Sequence, residues 1–259
     1  MPDRPDLRLF LNRLTRRSVL TTEEQEVVLG LPGHAEHVRS NRDFVRLGER
    51  VDHSCLIVGG FVGRFGQTYN GVRQIVALHI PGDMADLHSV VQPEATSALQ
   101  ALSTATILRV PHVALRAAAA AYPALAEAFW RDCMADAAIL AEWIVNLGRR
   151  NARSRVAHLL CEMAVRSGVA PARGEIVFPF AVTQSQLGDA TGMTAVHVNR
   201  TIQSLRRDGL ADVRSDAHIY DWDALAAAGD FDPAYLHFHV EPQRPFALAA
   251  VGSRRYKSS

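Results

Sequence analysis

Short apolar runs alternate with Gly, Pro, Asn and Asp between residues 39 and 113 of the 259-residue chain. Runs of this kind, bounded by turn-forming residues, are typical of β-strands. Asn70-Gly71 lies between two of the runs, and this dipeptide readily adopts the positive φ angles of a tight hairpin turn. Many short strands at this spacing predict a small β-sandwich or barrel. The runs that predict strands are residues 55–58, 61–65, 73–80 and 105–110.

Two segments have a helical pattern instead. Residues 7–29 predict helix, with a cap and first turn at residues 21–24. From residue 122 to about 147, apolar residues recur at spacings of three and four, which predicts one stripe along a long helix. The stripe could pack into the core of the same chain or against a second copy. Trp130 and Trp143 add apolar surface outside it, which makes the helix a candidate dimer interface. Its members are Leu125, Phe129, Cys133, Ala137, Leu140, Ile144 and Leu147.

Residues 183–205 have the pattern of two short capped helices around a glycine. Thr183 and Gln186 have the spacing of a capping box, in which each side chain bonds the other's backbone amide. Gly192 supplies the turn, and Thr194 can cap the second helix. That helix places Val198, Thr201, Ile202 and Leu205 on one inward face. The arrangement predicts a helix-turn-helix, whose second helix enters the major groove of DNA.

The outward face of the second helix supplies the candidate DNA contacts. Arg200 is the best candidate for base recognition, because its planar guanidinium can donate two hydrogen bonds to guanine O6 and N7. Asn199 could pair with adenine or a phosphate, or be ordinary polar surface. Residues 211–220 predict two short strands, a wing from which a side chain could touch the DNA backbone. The predicted DNA-binding residues are Gln184, Thr194, Val196, His197, Asn199, Arg200, Gln203 and Arg214.

Charge is distributed unevenly, although the net charge is only +1. Residues 1–148 hold 14 basic and 16 acidic side chains, whereas residues 149–214 hold 10 basic and 5 acidic ones. A local excess of positive charge attracts a phosphate backbone. The predicted helix-turn-helix segment is therefore also the natural candidate for binding nucleic acid.

Composition excludes several other classes. No stretch approaches the roughly 18 consecutive apolar residues that a membrane-spanning helix needs, so no membrane partner is expected. The first twelve residues lack the apolar core of a signal peptide, which predicts a cytoplasmic protein. Cys55, Cys133 and Cys161 lie far apart, and this spacing indicates neither a disulfide framework nor a metal-binding cysteine pair.

Residues 183–210, TQSQLGDATGMTAVHVNRTIQSLRRDGL, resemble the Crp/Fnr family of bacterial transcription regulators. The run Val-His-Val-Asn-Arg followed by a Leu-Arg pair is similar to one subgroup of that family. The resemblance covers roughly residues 20–222. It implies an α+β fold with an N-terminal β jelly-roll of the cyclic-nucleotide-binding type. The implied organisation is a β-roll domain with an N-terminal helix over residues 1–121, a dimerisation helix over 122–148, a winged helix-turn-helix over 149–232 and a C-terminal tail over 233–259.

The resemblance also implies partners. Members act as homodimers on near-palindromic sites in double-stranded DNA, and RNA polymerase would be a further partner if this chain is an activator. On this basis the dimer interface is expected on the long helix. The residues expected there are Phe129, Cys133, Ala137, Leu140, Ile144 and Leu147.

Family members that bind cyclic nucleotides hold the ribose and phosphate with a Gly-Glu-x-x-x-Leu segment and an Arg-Ser/Thr-Ala segment. The matching residues here are Gly82-Asp83 and Thr96-Ser97, so threonine stands where the family has arginine. A buried cyclic phosphate would lose its main charge-assisted hydrogen bonds without that cation. The expectation is a pocket at these four residues that does not bind cyclic AMP in the usual manner, with an effector that the sequence does not identify.

No metal or other cofactor is predicted. The iron–sulfur members of the family carry cysteines near the N-terminus, and no cysteine precedes Cys55 here. His79 and His88 could hold haem or simply be packed or exposed, and His237 and His239 alternate in the predicted tail.

Two other classes remain as alternatives to a regulator. The first is a cupin-like metal-dependent enzyme, which needs two or three histidines and a carboxylate converging in the barrel. His53, His79, His88 and Glu94 are available, but no pair has the H-x-H spacing. The second alternative is a protein-interaction module. The expectation is therefore a DNA-binding regulator that is not an enzyme.

Overall fold

A computed structural model describes residues 5–169 and 174–238 of the chain. Two helices come first, α1 (Pro5–Thr15) and α2 (Thr22–Leu29). The cap predicted for the second is confirmed. The Thr21 hydroxyl accepts a hydrogen bond from the Glu24 amide at 3.3 Å, and the Glu24 carboxylate accepts one from the Thr21 amide at 2.7 Å. These reciprocal bonds satisfy two amides that the helix itself cannot.

Seven strands then form two facing antiparallel sheets, the β-roll, with orders β1-β7-β3 and β2-β6-β4-β5. The hairpin predicted at Asn70-Gly71 joins β4 to β5, and Gly71 has the expected positive φ of 85°. Three strands were not predicted, because β1 and β2 are short and largely polar and β6 is only four residues long. The strands are β1 (His34–Val38), β2 (Arg42–Val45), β3 (His53–Gly59), β4 (Val62–Gln67), β5 (Arg73–His79), β6 (Ala98–Ala101) and β7 (Ala105–Pro111).

Helices α3 (His112–Ala121) and α4 (Pro123–Arg149) leave the β-roll. The second has 27 residues, which gives it a length of about 40 Å. A C-terminal domain follows, with three strands in the order β8-β10-β9. Helices together with antiparallel sheets in this order confirm the predicted α+β class. The elements of the C-terminal domain are α5 (Ala152–Arg166), β8 (Ile176–Pro179), α6 (Gln184–Thr191), α7 (Ala195–Arg207), β9 (Ala211–Val213), β10 (Asp216–Ile219) and α8 (Trp222–Gly229).

The C-terminal domain packs directly on the β-roll. The Gln186 side-chain amide, at the start of α6, donates to the Leu102 carbonyl at 3.2 Å and to the Asn41 side chain at 3.3 Å. Gln74 of β5 donates to the Asp189 carbonyl of α6. The helix-turn-helix is therefore held against the four-stranded sheet.

The segment predicted as a tail from residue 233 begins in packed structure. A short 3-10 turn, Pro233–Leu236, buries Leu236 completely, and the Leu236 carbonyl accepts a hydrogen bond at 2.9 Å from Arg17, which lies just after α1. The Tyr235 hydroxyl donates to the fully buried Glu162 of α5 at 2.9 Å. The sequence did not predict this packing, because the partners Arg17 and Glu162 lie far from Leu236 and Tyr235 along the chain. The rest of the predicted tail, including His239, lies outside the described residues.

Tyr235→Phe should therefore lower the free energy of unfolding by about 1–2 kcal/mol. The substitution keeps the ring but leaves the buried Glu162 carboxylate with one donor fewer. Tyr220→Phe is the matched control, because Tyr220 is an exposed tyrosine and removal of its hydroxyl should change little. Urea unfolding of both variants is the measurement. Equal stability of the two variants would mean that the hydrogen bond from Tyr235 to Glu162 does not stabilise the fold.

Candidate nucleic-acid interface and effector region

The helix-turn-helix is built from local signals. Thr183 and Gln186 form the predicted capping box at the start of α6, with bonds of 3.2 and 2.9 Å. Gly192 ends this helix in the left-handed region, at φ 67°. A side chain at Gly188 would place its Cβ 2.5 Å from the Met193 carbonyl oxygen, so close approach of the two helices requires glycine there. Thr194 caps α7 by accepting from the His197 amide at 3.2 Å.

Helix α7 divides into the two predicted faces. Its inward residues are buried: Val198, Thr201, Ile202 and Leu205. On the outward face, Val196 is 64% exposed, and His197, Arg200 and Gln203 are also exposed. The Arg200 guanidinium has no hydrogen bond or ion pair within the described part of the chain. An exposed, unpaired arginine in the first half of α7 is available to a groove of DNA.

Asn199 is held in place by its neighbours. Its amide donates to the Gln184 side chain at 3.1 Å, and its carbonyl oxygen accepts from Gln203 at 2.7 Å. These three polar side chains form a hydrogen-bonded row from the first turn of α6 across α7. They lie beside Arg200, so the predicted contact residues of both helices share one surface.

The wing is present, but its arginine is not free. Strands β9 and β10 form the hairpin predicted beyond Gly209. The Arg214 side chain is 72% exposed, and its Nε donates to the buried carboxylate of Asp212 at 3.0 Å. Arg206 lies 3.5 Å from the same carboxylate. Arg214 can therefore reach a phosphate only while sharing its charge with Asp212.

Residues 149–214 have less unpaired positive charge than their numbers of basic and acidic side chains indicated. Arg153 pairs with Asp208, and Arg150 with Glu142 at 2.7 Å. Arg166 is buried and pairs with Glu162 at 2.9 Å. Among the described residues, the arginines of this segment without an ion pair or hydrogen bond are Arg149, Arg200 and Arg207.

The predicted stripe on α4 does not stay on one face. Each spacing of four residues rotates a helix position by about 40°, so three in succession separate Leu125 from Ala137 by about 120°. Leu125 and Phe129 consequently pack inside their own chain, where the Phe129 ring stacks on Phe10 at 6.0 Å. Phe129 is thus a core residue, contrary to the expected dimer interface. Trp143 is also buried, and its Nε1 donates to Glu162 at 3.0 Å.

A different apolar row is exposed on α4. The residues of this row follow one another at alternating spacings of four and three, which keeps them within about 40° of one line along the helix surface. Trp130, Met134 and Ile144 are 66%, 65% and 72% exposed. Of the predicted interface residues, Ala137 and Ile144 belong to this row, whereas Cys133, Leu140 and Leu147 are half-buried beside it. The exposed α4 row consists of Trp130, Met134, Ala137, Ala141, Ile144 and Gly148.

The four residues of the expected effector pocket do not lie together. Thr96 and Ser97 line a cavity of about 10 Å³, which has room for about one water molecule. Gly82 and Asp83 line a separate cavity of about 540 Å³. Sequence reasoning missed Arg64 of β4, which is buried, borders the smaller cavity and donates to the Ala85 carbonyl. It supplies a cation near Thr96 from a different strand.

Asp83 is the centre of a buried ion-pair network. Its carboxylate accepts from Arg166 of α5 at 2.7 Å and from Arg13 of α1, and Arg13 also donates to Asp132 and Asp136 of α4, at 2.5 and 2.8 Å. Burial alone raises the pKa of Asp83, but the charges of Arg13 and Arg166 outweigh it and hold that pKa well below its usual range. The network joins α1, the β-roll, α4 and α5. No sequence signal pointed to it, because its partners lie 70 to 123 residues apart.

The histidines and acidic residues do not form a metal site within the described part of the chain, where no group of three or more His, Cys, Asp or Glu side chains could hold an ion. His79 is buried on β5, and burial lowers its pKa. His53 contacts Asp52 and Arg109 instead. None of the helices described is long and apolar enough to span a membrane.

Comparisons with known proteins agree with this architecture. Residues 154–228 match the model of the Crp-like helix-turn-helix domain. The chain is 29% identical over 169 residues to the nitrogen fixation regulation protein FixK of Azorhizobium caulinodans, covering 65% of this chain and 67% of that one. It is 28% identical over 204 residues to the transcriptional activator protein FnrL of Cereibacter sphaeroides, covering 71% and 75%.

A solved structure has the same fold. The structure of FixK2 from Bradyrhizobium japonicum aligns with a TM-score of 0.68 at 24% identity, over 76% of this chain and 98% of that chain. The matched helix-turn-helix model covers α6 and α7, the two helices that the sequence predicted. Residues 154–228 therefore form a Crp-like helix-turn-helix domain, and the chain as a whole is similar to transcription regulators of the Crp/Fnr type.

Proposed function

We propose that this regulator binds a near-palindromic operator in double-stranded DNA as a homodimer. The observation that carries the proposal is the outward face of α7, where Arg200 is exposed and free of any partner among the described residues. The beginnings of α6 and α7 lie beside it, and backbone amides at helix N-termini attract phosphates. Base contacts from α7 and phosphate contacts from Gln184, Thr194 and His197 together fit the docking of a helix-turn-helix.

The exposed α4 row supports the homodimer. It runs from Trp130 to Gly148, 19 residues and about 27 Å, and contains no charged side chain. A continuous apolar surface of this kind marks an interaction site on a folded protein. A symmetric pairing of two α4 helices would bury the row on both copies and present one α7 helix to each half of the operator. RNA polymerase would be a further partner if the protein activates transcription.

Cyclic AMP in the family's usual site does not fit this chain. The cavity beside Thr96 and Ser97 holds about one water, and Arg64 and Asp86 already occupy its border. Gly82 and Asp83 face another cavity, and the Asp83 carboxylate is committed to two arginines. We therefore propose that the β-roll signals without a cyclic nucleotide held in this manner.

Arg200→Ala should weaken binding to the specific operator by about 1–3 kcal/mol and relax preference at one base pair in each half-site. Arg207→Ala is the matched control, because Arg207 is also exposed and unpaired among the described residues but lies two turns further along α7. It should weaken binding to operator and random DNA alike, and only slightly.

The measurement is a binding titration of each variant against the operator and a scrambled duplex at fixed salt. Salt must be held constant because phosphate contacts make affinity strongly salt-dependent. If Arg200→Ala lowers both affinities equally, Arg200 is a phosphate contact and the proposed reading face is wrong.

A further inference from the structure

A cavity of about 540 Å³, the junction cavity, lies where α1, the β-roll and the C-terminal domain meet. Pockets that hold small organic ligands have volumes of roughly 300–1,000 Å³. Three residues of α1 line it, with Arg16 just beyond that helix, the turn that follows β5, the end of α5 and the segment after β8. The cavity is separate from the one at Thr96, and of its lining residues only Gly82 and Asp83 belong to the effector pocket that the family resemblance implied.

One wall of the junction cavity is apolar. Phe61 and Ile80 are 6% and 5% exposed, and Phe238, the last described residue, closes the opposite side. Pro81 and Pro179 add further carbon surface. An apolar wall of this size favours a ligand with a hydrocarbon body, because burial of apolar area is what binds such groups.

The polar side of the cavity is rich in guanidinium groups. Arg13, Arg16 and Arg166 line it, against the single carboxylate of Asp83. Arg13 and Arg166 are buried and neutralised by carboxylates behind them. The Nε of Arg166, however, has no acceptor in the described part of the chain, although it is buried. A buried donor without an acceptor costs free energy, and a ligand oxygen would recover it.

Arg16 supplies the second donor. Its side chain is exposed, stacks on the Phe238 ring at 5.0 Å and makes no ion pair with any described residue. Its charge is therefore available at the mouth of the cavity, unlike those of Arg13 and Arg166. The planar fork of a guanidinium matches a carboxylate with two parallel hydrogen bonds.

We propose that the junction cavity binds an organic carboxylate with an apolar body. The carboxylate would lie on Arg16 and the Nε of Arg166, and the hydrocarbon would lie against Phe61, Ile80 and Phe238. Such a ligand would contact both the β-roll and the C-terminal domain. Its affinity would therefore depend on the position of one domain relative to the other. Ligand and operator should then change each other's affinity for the protein. This regulatory consequence rests on the proposed function, whereas binding of the carboxylate does not.

The test is calorimetric titration of the full chain, without DNA, with octanoate and with 3-phenylpropanoate. At least one should bind saturably with one site per chain, whereas octylammonium, of the opposite charge, should not. Arg16→Gln should weaken this binding at least about tenfold with an unchanged thermal midpoint, since it removes a charge-assisted pair. Ala181→Trp, which places a large ring into the cavity from its exposed rim, should abolish it.

Arg207→Gln is the matched control, an exposed arginine remote from the cavity lining, and it should bind as the wild type does. The proposal is overturned if neither carboxylate binds, if octylammonium binds equally, or if both Arg16→Gln and Ala181→Trp retain full affinity. Because the titration contains no DNA, failure of the DNA-binding proposal leaves its result unaffected, and the reverse also holds.

Discussion

Met134→Asp combined with Ile144→Asp should turn the dimer into a monomer and weaken operator binding at least about 100-fold. Both side chains are exposed on the α4 row, at 65% and 72%. In a symmetric pairing each interface would contain four buried carboxylates, and burying unpaired charge is costly. A monomer contacts one half-site at a time and loses the effective concentration that links the two, which is worth 10²–10⁴ in affinity.

The control for this prediction is Val91→Asp combined with Val113→Asp. These valines are 80% and 73% exposed but do not belong to α4. The control should remain dimeric by light scattering and should retain operator binding. An α4 variant that stays dimeric would rule out the exposed α4 row as the interface.

Asp83→Asn should lower the free energy of unfolding by about 3–5 kcal/mol, because it leaves two buried guanidiniums without their shared carboxylate. The pKa of Asp83 is held below its ordinary value of about 3.9 in the folded chain. The ionised group therefore contributes its full stability above that ordinary value and loses it as the pH falls below it. The difference between wild type and variant should shrink as the pH is lowered from about 4.

Asp52→Asn is the matched control, since the Asp52 side chain is fully exposed and its hydrogen bond to His53 is screened by water, so it should change unfolding far less than Asp83→Asn does. Denaturant unfolding at neutral pH and in acid compares the three proteins. A loss of less than about 1 kcal/mol in Asp83→Asn would mean that the network at the domain junction is not a stabilising one.

The helix-turn-helix could be predicted because its signals are local. Thr183 and Gln186 are three residues apart, Gly192 marks the turn, and Thr194 begins the next helix. Capping and turn preferences act within one helical turn of the chain, so a sequence displays them directly. The outward face of α7, including Arg200, followed from the same periodicity.

Features that depend on distant partners could not be predicted. Nothing near Asp83 in the sequence reveals that it pairs with Arg13 and Arg166, 70 and 83 residues away. The long helix shows the same limit, because an apolar stripe identifies a helix but not which part of it the rest of the chain covers. The Phe129 ring stacks on Phe10 of α1, and the Trp143 indole donates a hydrogen bond to Glu162 of α5. Both side chains are therefore buried within their own chain.

Selection of binding sites from random duplex DNA at fixed salt shows directly whether the protein reads DNA as a dimer. We expect enrichment of one motif with two inverted half-sites whose centres lie about one helical turn, 10–11 base pairs, apart. Affinity for that motif should fall steeply as salt is raised. Recovery of no motif, or of a single motif without inverted symmetry, would rule out a dimeric, sequence-reading regulator.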